Sequence, residues 1–588
     1  MNLLLVLAAA HAVSAAPNIL FNNELIPKID HALPVFSLGP PAKIPIDLLS
    51  KFVYSSSPNT IFKNDSATNS QLGYDGDVLI SFVHGVTGET VVFPNLTALK
   101  PASGQINIGL GHEYIRIGEM FPEDHTKFAI VNGSSLQGHS YVRGKELTPP
   151  ATYLMHGVVQ RNITVAEGKD MPVCGPGSQA SFGFGADGQV YSVSYRWKSA
   201  HLTKTKIEAR LRKEIYEDIC EQLEQSAKTG LVRVDKVDVC FYDSGSHYIQ
   251  PVYRFSATLN VDRPAPNNTA PMMISGYVPI GKRSPEAVPA LNDKVEGQKP
   301  KNPSRQPSTQ EAQLSQSQQV TNQSPVQNQL PLNQDHQDLR RTTGPSLRLG
   351  RYIVRDDTNQ WYKDSNAYLA QLQTPFGFPF PTVASFVDSQ YYWAEPWIFT
   401  TDKDDFINSV HIAENEVHGN WHLFSTEKNC CDLVNLETDI PPQGYGPNSA
   451  EGAKLAYWII HSCEVIPTPT DYSPADQHKA YDPWWTIFNG IHAVLGYRTE
   501  MWIADSVMST FGAFVALGAP VVPAWLSTVS GDTRDYGGSQ LYFDGNRQMN
   551  EPMGRASAIL VTGHEGDRIV DVQGLGRPGS LTMWWYGN

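Results

Sequence analysis

Apolar residues change their rhythm three times along the chain. From residue 17 to 281, short runs rich in β-branched and aromatic residues alternate with Gly, Pro and Asn turns, the pattern of successive strands. The best defined is Gly183 to Trp197, which reads as a hairpin with Asp187-Gly188 at its turn, where glycine relieves the positive φ such turns demand. Ile207, Leu211, Ile215, Ile219 and Leu223 then fall on one stripe and predict an amphipathic helix over 204–227. Two further strands, 232–242 and 249–257, are joined by the polar stretch Asp243 to His247. Between about 282 and 346 the apolar pattern stops. Gln, Asn, Ser, Pro and Lys dominate, and such a stretch cannot bury enough surface to offset its ordering entropy, so a disordered linker is expected. From 347 onward aromatic-rich segments return, with strands expected at 351–354, 409–419, 456–461 and 491–497 and helices at 362–372, 483–489 and 506–517. Strands alternating with helices imply a parallel sheet, and in such sheets ligands collect outside the carboxyl ends of the strands.

The length of 588 residues exceeds one hydrophobic core and fits two domains with a linker. A formal charge of −14 argues against nucleic acid as a partner and makes neutral or cationic partners the more natural ones. Residues 1–16 carry an apolar run ending in Ser14, Ala15 and Ala16, the pattern of a cleaved signal peptide. Six Asn-x-Ser/Thr acceptors, at Asn64, Asn95, Asn132, Asn162, Asn267 and Asn322, suit a secreted, extracellular glycoprotein. The other uncharged run, 507–526, is broken by Gly512, Gly518, Pro520 and Pro523, so no stable membrane insertion is expected. Six cysteines divide three and three, which leaves one odd thiol in each half. Dibasic pairs, Lys282-Arg283 and Arg340-Arg341, stand near the linker ends, where processing proteases of the secretory route cut.

Candidate chemistry lies where two of the later apolar segments end. His418-Gly419 closes one and Cys463 closes the next, so consecutive parallel strands would deliver both to one rim. The thiolate is the strongest side-chain nucleophile near neutral pH, and histidine has the pKa to serve it as base or proton shuttle. Glycine after the histidine lets main chain approach a substrate without a Cβ. A zinc reading through His418 and His422, with His411 and Glu416 nearby, fails because Val417, Gly419, Trp421 and Leu423 alternate like a strand, where the zinc motif needs a helix. No metal and no cofactor are expected. Ser462 lacks the Gly-x-Ser-x-Gly surroundings of a serine nucleophile. His492 reads either as a cleft residue or as a satisfied core histidine, and Thr562 to Asp567 as a hairpin turn without an assigned role.

These residues carry two resemblances. The His418-Gly419 strand, the strand ending in Ser462-Cys463-Glu464 and the segment Phe488 to Tyr497 look like the core of the caspase-like cysteine peptidases. The ββαββ piece at about 178–260, carried by the Asp187-Gly188 hairpin, Arg196-Trp197, Phe241-Tyr242 and Gln250 to Phe255, resembles PepSY-type modules of secreted peptidase precursors. The chain is also similar to an uncharacterised secreted family that joins the two, with Trp485, Phe488, Gly490 and His492 in the matching segment. The implied fold is α/β: a caspase-like three-layer domain with a mainly parallel sheet over 347–588, preceded by a β-rich α+β region over 17–281. The implied mechanism has Cys463 attack a peptide carbonyl, His418 protonate the departing amine, and the Gly419 and Cys463 amides hold the oxyanion. It also implies a peptide or protein substrate and a zymogen-like precursor whose N-terminal region inhibits the same chain, chaperones it or serves as a binding domain. Ser462-Cys463-Glu464 departs from the Gln-Ala-Cys-Gly of caspases proper, and Glu464 beside the thiol would raise its pKa. The alternative is a non-catalytic secreted glycoprotein, binding or structural, on a decayed caspase-like fold, with Cys463 bonded to Cys430 or Cys431 or left as a buried core thiol.

Overall fold

Strands of the last 243 residues set the frame, and in the computed structural model they are β1 (Ser346–Ile353), β2 (Ser385–Trp393), β3 (Ile412–Glu416), β4 (Tyr457–His461), β5 (Ala493–Tyr497), β6 (Ala556–Val561) and β7 (Ser580–Gly587). The structure describes residues 18–110, 112–165, 168–228, 230–260, 272–291, 298–304, 344–355, 360–426, 433–501, 505–532, 539–544, 547–552 and 554–587. In the sheet the order is β2-β1-β3-β4-β5, all parallel, followed by β6 and β7, each antiparallel to its neighbour. The sheet does not stop there. Lys127–Val142 pairs antiparallel with β7, and strands 151–164, 179–184, 190–196, 90–92, 78–83, 70–75 and 61–65 continue it in that order. The protein is therefore α/β with a large mixed sheet and few helices, and both halves of the chain contribute strands to that sheet.

Alternation explains how the central strands are covered on two faces. Along β4, Tyr457 and Ile459 join one core while Trp458 and Ile460 join the other, and all four are fully buried. Helix α1 (Gln360–Gln373) packs on α2 (Asp505–Ala516) over the first of these faces. Gly512 permits their approach, since a Cβ there would stand 2.8 Å from the Tyr368 ring. Helix α3 (Val521–Asp532) anchors to β5 through Trp525, whose indole N–H donates to Gly496 O at 3.0 Å. Each large side chain so buried contributes about 1.5–3 kcal/mol.

A second, antiparallel group of strands, 33–41, 198–207, 231–243, 248–260 and 272–279, packs against the helix Arg212–Ala227. The helix expected from Lys204 thus starts later: residues 198–207 form a strand because Leu33–Pro41 pairs with them, and sheet hydrogen bonds outweigh the amphipathic stripe there. The Asp187-Gly188 turn has the expected form, with Gly188 at φ +75°, but its hairpin belongs to the large sheet and the strands after the helix to the second group. Cys174 and Cys240 form a disulfide, and Cys220 and Cys463 are free thiols.

The described parts of the expected linker are docked on the fold. Lys282 pairs with Glu214 at 3.0 Å, Gln250 donates to Glu286 O, and Lys301 exchanges hydrogen bonds with Tyr391 and Trp393 along β2. Main-chain pairing at Lys301 and side-chain bonds at the other points offset the ordering entropy that composition alone would leave uncompensated. The signal peptide expected at 1–16, residues 305–343 with Arg340-Arg341 and Asn322, Asn267, and Cys430-Cys431 lie outside the described residues. No described helix is long and apolar enough to cross a membrane.

Candidate functional site

β3 and β4 run parallel with Glu416 opposite His461, so the residues that follow them emerge side by side at the carboxyl rim. The Val417 N–H donates to His461 O at 3.3 Å and holds the two exits together. From there His418–Asn420 opens a small antiparallel sheet with 423–425 and 433–435. Gly419 lies directly against the other exit: a Cβ on it would stand 2.1 Å from Ser462 Oγ and 2.9 Å from Cys463 O. Glycine is required here by contact, since its φ is not among the positive ones. His418 is half-buried, with its ring edge-on to Trp361 at 5.2 Å.

The thiol is closed over in this state. Cys463 is buried; its Sγ accepts the Met501 N–H at 3.4 Å and faces Met501 O at 3.8 Å. Among the described residues, no hydrogen bond joins it to His418. The covering segment, Arg498 to Met501, continues β5 and is held on both sides: Glu464 N–H donates to Thr499 O, Gly554 N–H to Glu500 O, and Arg555 N–H to the Thr499 hydroxyl. Arg498 bonds Asp471 and Tyr586 O. Burial pushes the Cys463 thiol far above the ordinary cysteine range, and the carboxylates of Glu500 and Glu464 push it the same way against the Met501 hydrogen bond. Glu464 itself sits at φ +51°, a conformation unusual for a non-glycine residue and one that turns the chain sharply after the thiol.

Glu500 has its carboxyl pushed up to about 8 by burial and then by the charge of Glu464. Since its folded pKa lies above the ordinary 4.5, the stability it contributes is complete below about pH 4.5 and is lost as pH rises through 8. The loss is at most about 1.4 kcal/mol per pH unit in that window. Glu500→Gln removes it, so the variant's melting temperature is expected to gain on the wild type's from pH 5 to pH 8 and then run parallel to it. Identical pH profiles for the two proteins would contradict this environment for Glu500.

Beneath the rim lies a polar cluster that motif reasoning passed over. His461 and Glu416, both fully buried, meet at 2.6 Å, and burial pushes the imidazole down to about 3, so it is neutral. Ser365 donates to Glu414 at 2.7 Å, and burial raises the Glu414 carboxyl. The sequence signal was present in Glu414-Asn415-Glu416, three consecutive polar residues inside a strand of a doubly covered sheet. Among the described residues, two sets of side chains have the donors and spacing to hold a cation: Asp364, Glu416 and His461 under this rim, and His492, His564 and Asp567 at the opposite one. His411, His418 and His422 do not gather with Glu416 into such a set among the described residues: His411 accepts the Arg348 N–H and His422 bonds Glu437.

Residues 387–551 match the model of a family described as a domain of unknown function, DUF6345. That segment contains most of β2 and all of β3 to β5, and with them His418, Gly419 and Cys463. No curated protein matches the chain. Among solved structures, an uncharacterized protein from Eubacterium rectale is similar at 9% identity with a TM-score of 0.25, covering 44% of this chain and 87% of its own.

Proposed function

We propose that the protein is a secreted, cysteine-dependent hydrolase, a peptidase made as a latent precursor, with Cys463 as nucleophile, His418 as its proton shuttle and the Gly419 amide as an oxyanion donor. A caspase-like arrangement of the 347–588 segment and a PepSY-like module at about 178–260 belong to the same proposal. The observation that carries it is the approach of Gly419 to Ser462 and Cys463 at the carboxyl ends of two adjacent parallel strands, with Cys463 left unbonded. Thiol chemistry in this form is shut off by burial and by two carboxylates, as a precursor requires.

Intramolecular inhibition by the N-terminal region has a route through named contacts. Lys127–Val142 pairs with β7 along its length, Leu136 opposite Tyr586. Tyr586 O in turn accepts from Arg498, the first residue of the segment that covers the thiol. Losing that N-terminal strand would free β7 and, with it, one anchor of the cover.

The test is turnover of a mixed peptide pool by the intact chain and by the chain cut at its dibasic pairs. Activity is expected only after cutting, to be lost in Cys463→Ala and to fall about 100-fold or more in His418→Ala. Turnover that survives Cys463→Ala would sink the proposal. The second reading is a non-catalytic secreted glycoprotein, favoured by the same burial of the thiol, and a cut, folded chain without turnover would support it.

A further inference from the structure

Two features that stand 70 residues apart in sequence, His492 and the loop Thr562 to Asp567, meet at the rim opposite Cys463. His492 precedes β5, and the loop follows β6, which runs antiparallel to it. His492 Nδ1 lies 2.5 Å from Asp567 Oδ2, and His564 Nδ1 lies 2.8 Å from the same oxygen. The His492 ring is buried, while His564 and Asp567 have side chains 33% and 21% exposed, so the cluster opens to solvent on one side. The turn expected at 562–567 instead begins the long connection 562–579 from β6 to β7.

A contact outside the cluster fixes its chemistry. His492 Nε2 lies 2.7 Å from Gln573 O, a carbonyl that can only accept, so Nε2 carries the ring proton. In the neutral ring, Nδ1 then presents a bare lone pair to a carboxylate oxygen, and two lone pairs at that distance need a positive centre between or beside them. An imidazole whose second nitrogen donates to a backbone carbonyl is the usual outer arrangement of a metal-ligating histidine. Two imidazole nitrogens and one carboxylate, with a side open to water, are the donor set of a three-ligand site for a divalent transition metal.

We infer that His492, His564 and Asp567 form a binding site for a divalent transition metal ion of the zinc class, with solvent completing the coordination. Ligands at about 2.0–2.1 Å in tetrahedral geometry stand about 3.3 Å apart, so an ion spreads these donors by roughly 0.5–0.8 Å. The loop can yield that much: a Cβ on Gly563 or Gly566 would meet nothing within 4 Å. His492 does not move, because its N–H donates to Ala456 O and its carbonyl accepts from Val561. Imidazole donors select against magnesium and calcium, which take oxygen. The bound ion would clamp the start of β5 to the β6–β7 connection. The inference is independent of the hydrolase proposal, whose residues lie at the other rim.

The experiment strips the full-length chain with a chelator, then measures zinc binding by calorimetry and cobalt(II) binding by its visible absorption, with magnesium as the control. The wild type is expected to take up about one zinc ion at this site, to show the intense bands of tetrahedral cobalt, and to ignore magnesium. His564→Ala and Asp567→Asn are expected to weaken zinc binding by about 100-fold or more. Both side chains are only part-buried, and circular dichroism checks that the variants fold. Zinc affinity unchanged in both folded variants, or no uptake by the wild type, would overturn the inference and leave a proton-bridged His-Asp-His contact in its place.

Discussion

Gly419→Ala is expected to destabilise the protein by about 1–3 kcal/mol and to remove whatever activity the processed chain has. The new methyl would lie 2.1 Å from Ser462 Oγ, 2.9 Å from Cys463 O and 3.0 Å from Leu423 O. The serine hydroxyl is buried and the other two neighbours are main chain, so the rim must spread to admit it. Overpacking of this kind costs about that much in closely packed interiors. Function suffers more than stability, because moving His418 by 1 Å relative to Cys463 can cost about 100-fold in rate. Pairing the change with Ser462→Gly separates the two effects. Removing the hydroxymethyl relieves the nearest clash, so the double variant is expected to recover stability beyond the sum of the single effects, read by urea denaturation. Additive losses would mean that Gly419 and Ser462 do not touch.

The second large effect is expected at Arg351. Its side chain is 1% exposed, bonded to both oxygens of Asp388 at 3.1 and 2.7 Å, to Ser365 and Asn366 at 3.1 Å each, and stacked on the Tyr391 ring at 3.7 Å. One guanidinium thereby ties β1 to β2 and to α1, and through Ser365 to Glu414 on β3. Arg351→Met keeps the bulk and removes the charge, which leaves Asp388 without its partner and raises the cost of the buried carboxyls beside it. Breaking one side of such a pair costs about 3–5 kcal/mol; Asp388 is part-exposed, so the lower end applies. Arg351→Met with Asp388→Leu is expected to return part of the loss, because the pair is then replaced by apolar contact. A single variant within 1 kcal/mol of wild type in urea unfolding would show that the network does not bear on stability.

How much of this could be read beforehand depends on where the information sits. The runs at 456–461 and 491–497 announce β4 and β5 because a mostly apolar stretch inside a doubly covered sheet is a local property of the chain, and the shorter apolar start of 409–419 marks β3. Their chain order then places His418 and Cys463 near one rim with no further input. The cover formed by Arg498 to Met501 was illegible: it depends on where β5 ends and on bonds from Gly554, Arg555 and Tyr586, far away in sequence. The continuation of the sheet from β7 into Lys127–Val142 is equally non-local, and composition marks the 282–346 stretch without revealing that its ends dock. Residues 204–207 belong to a strand although the amphipathic stripe that starts at Ile207 favours helix there, because their partner strand begins at Leu33, far away in sequence. Asp567 stayed hidden because a turn-like Gly-His-Glu-Gly loop gives no sign of the histidine it meets.

Site-resolved alkylation of Cys463 tests the central claim most directly. The folded chain is exposed to iodoacetamide at pH 8 before and after cutting at the dibasic pairs, and mass spectrometry reads Cys463 and Cys220 separately. The account predicts that Cys463 resists labelling in the intact chain, becomes reactive once cut, and loses most of that reactivity in His418→Ala. A Cys463 found disulfide-bonded to Cys430 or Cys431, or one that stays unreactive after cutting, would contradict it.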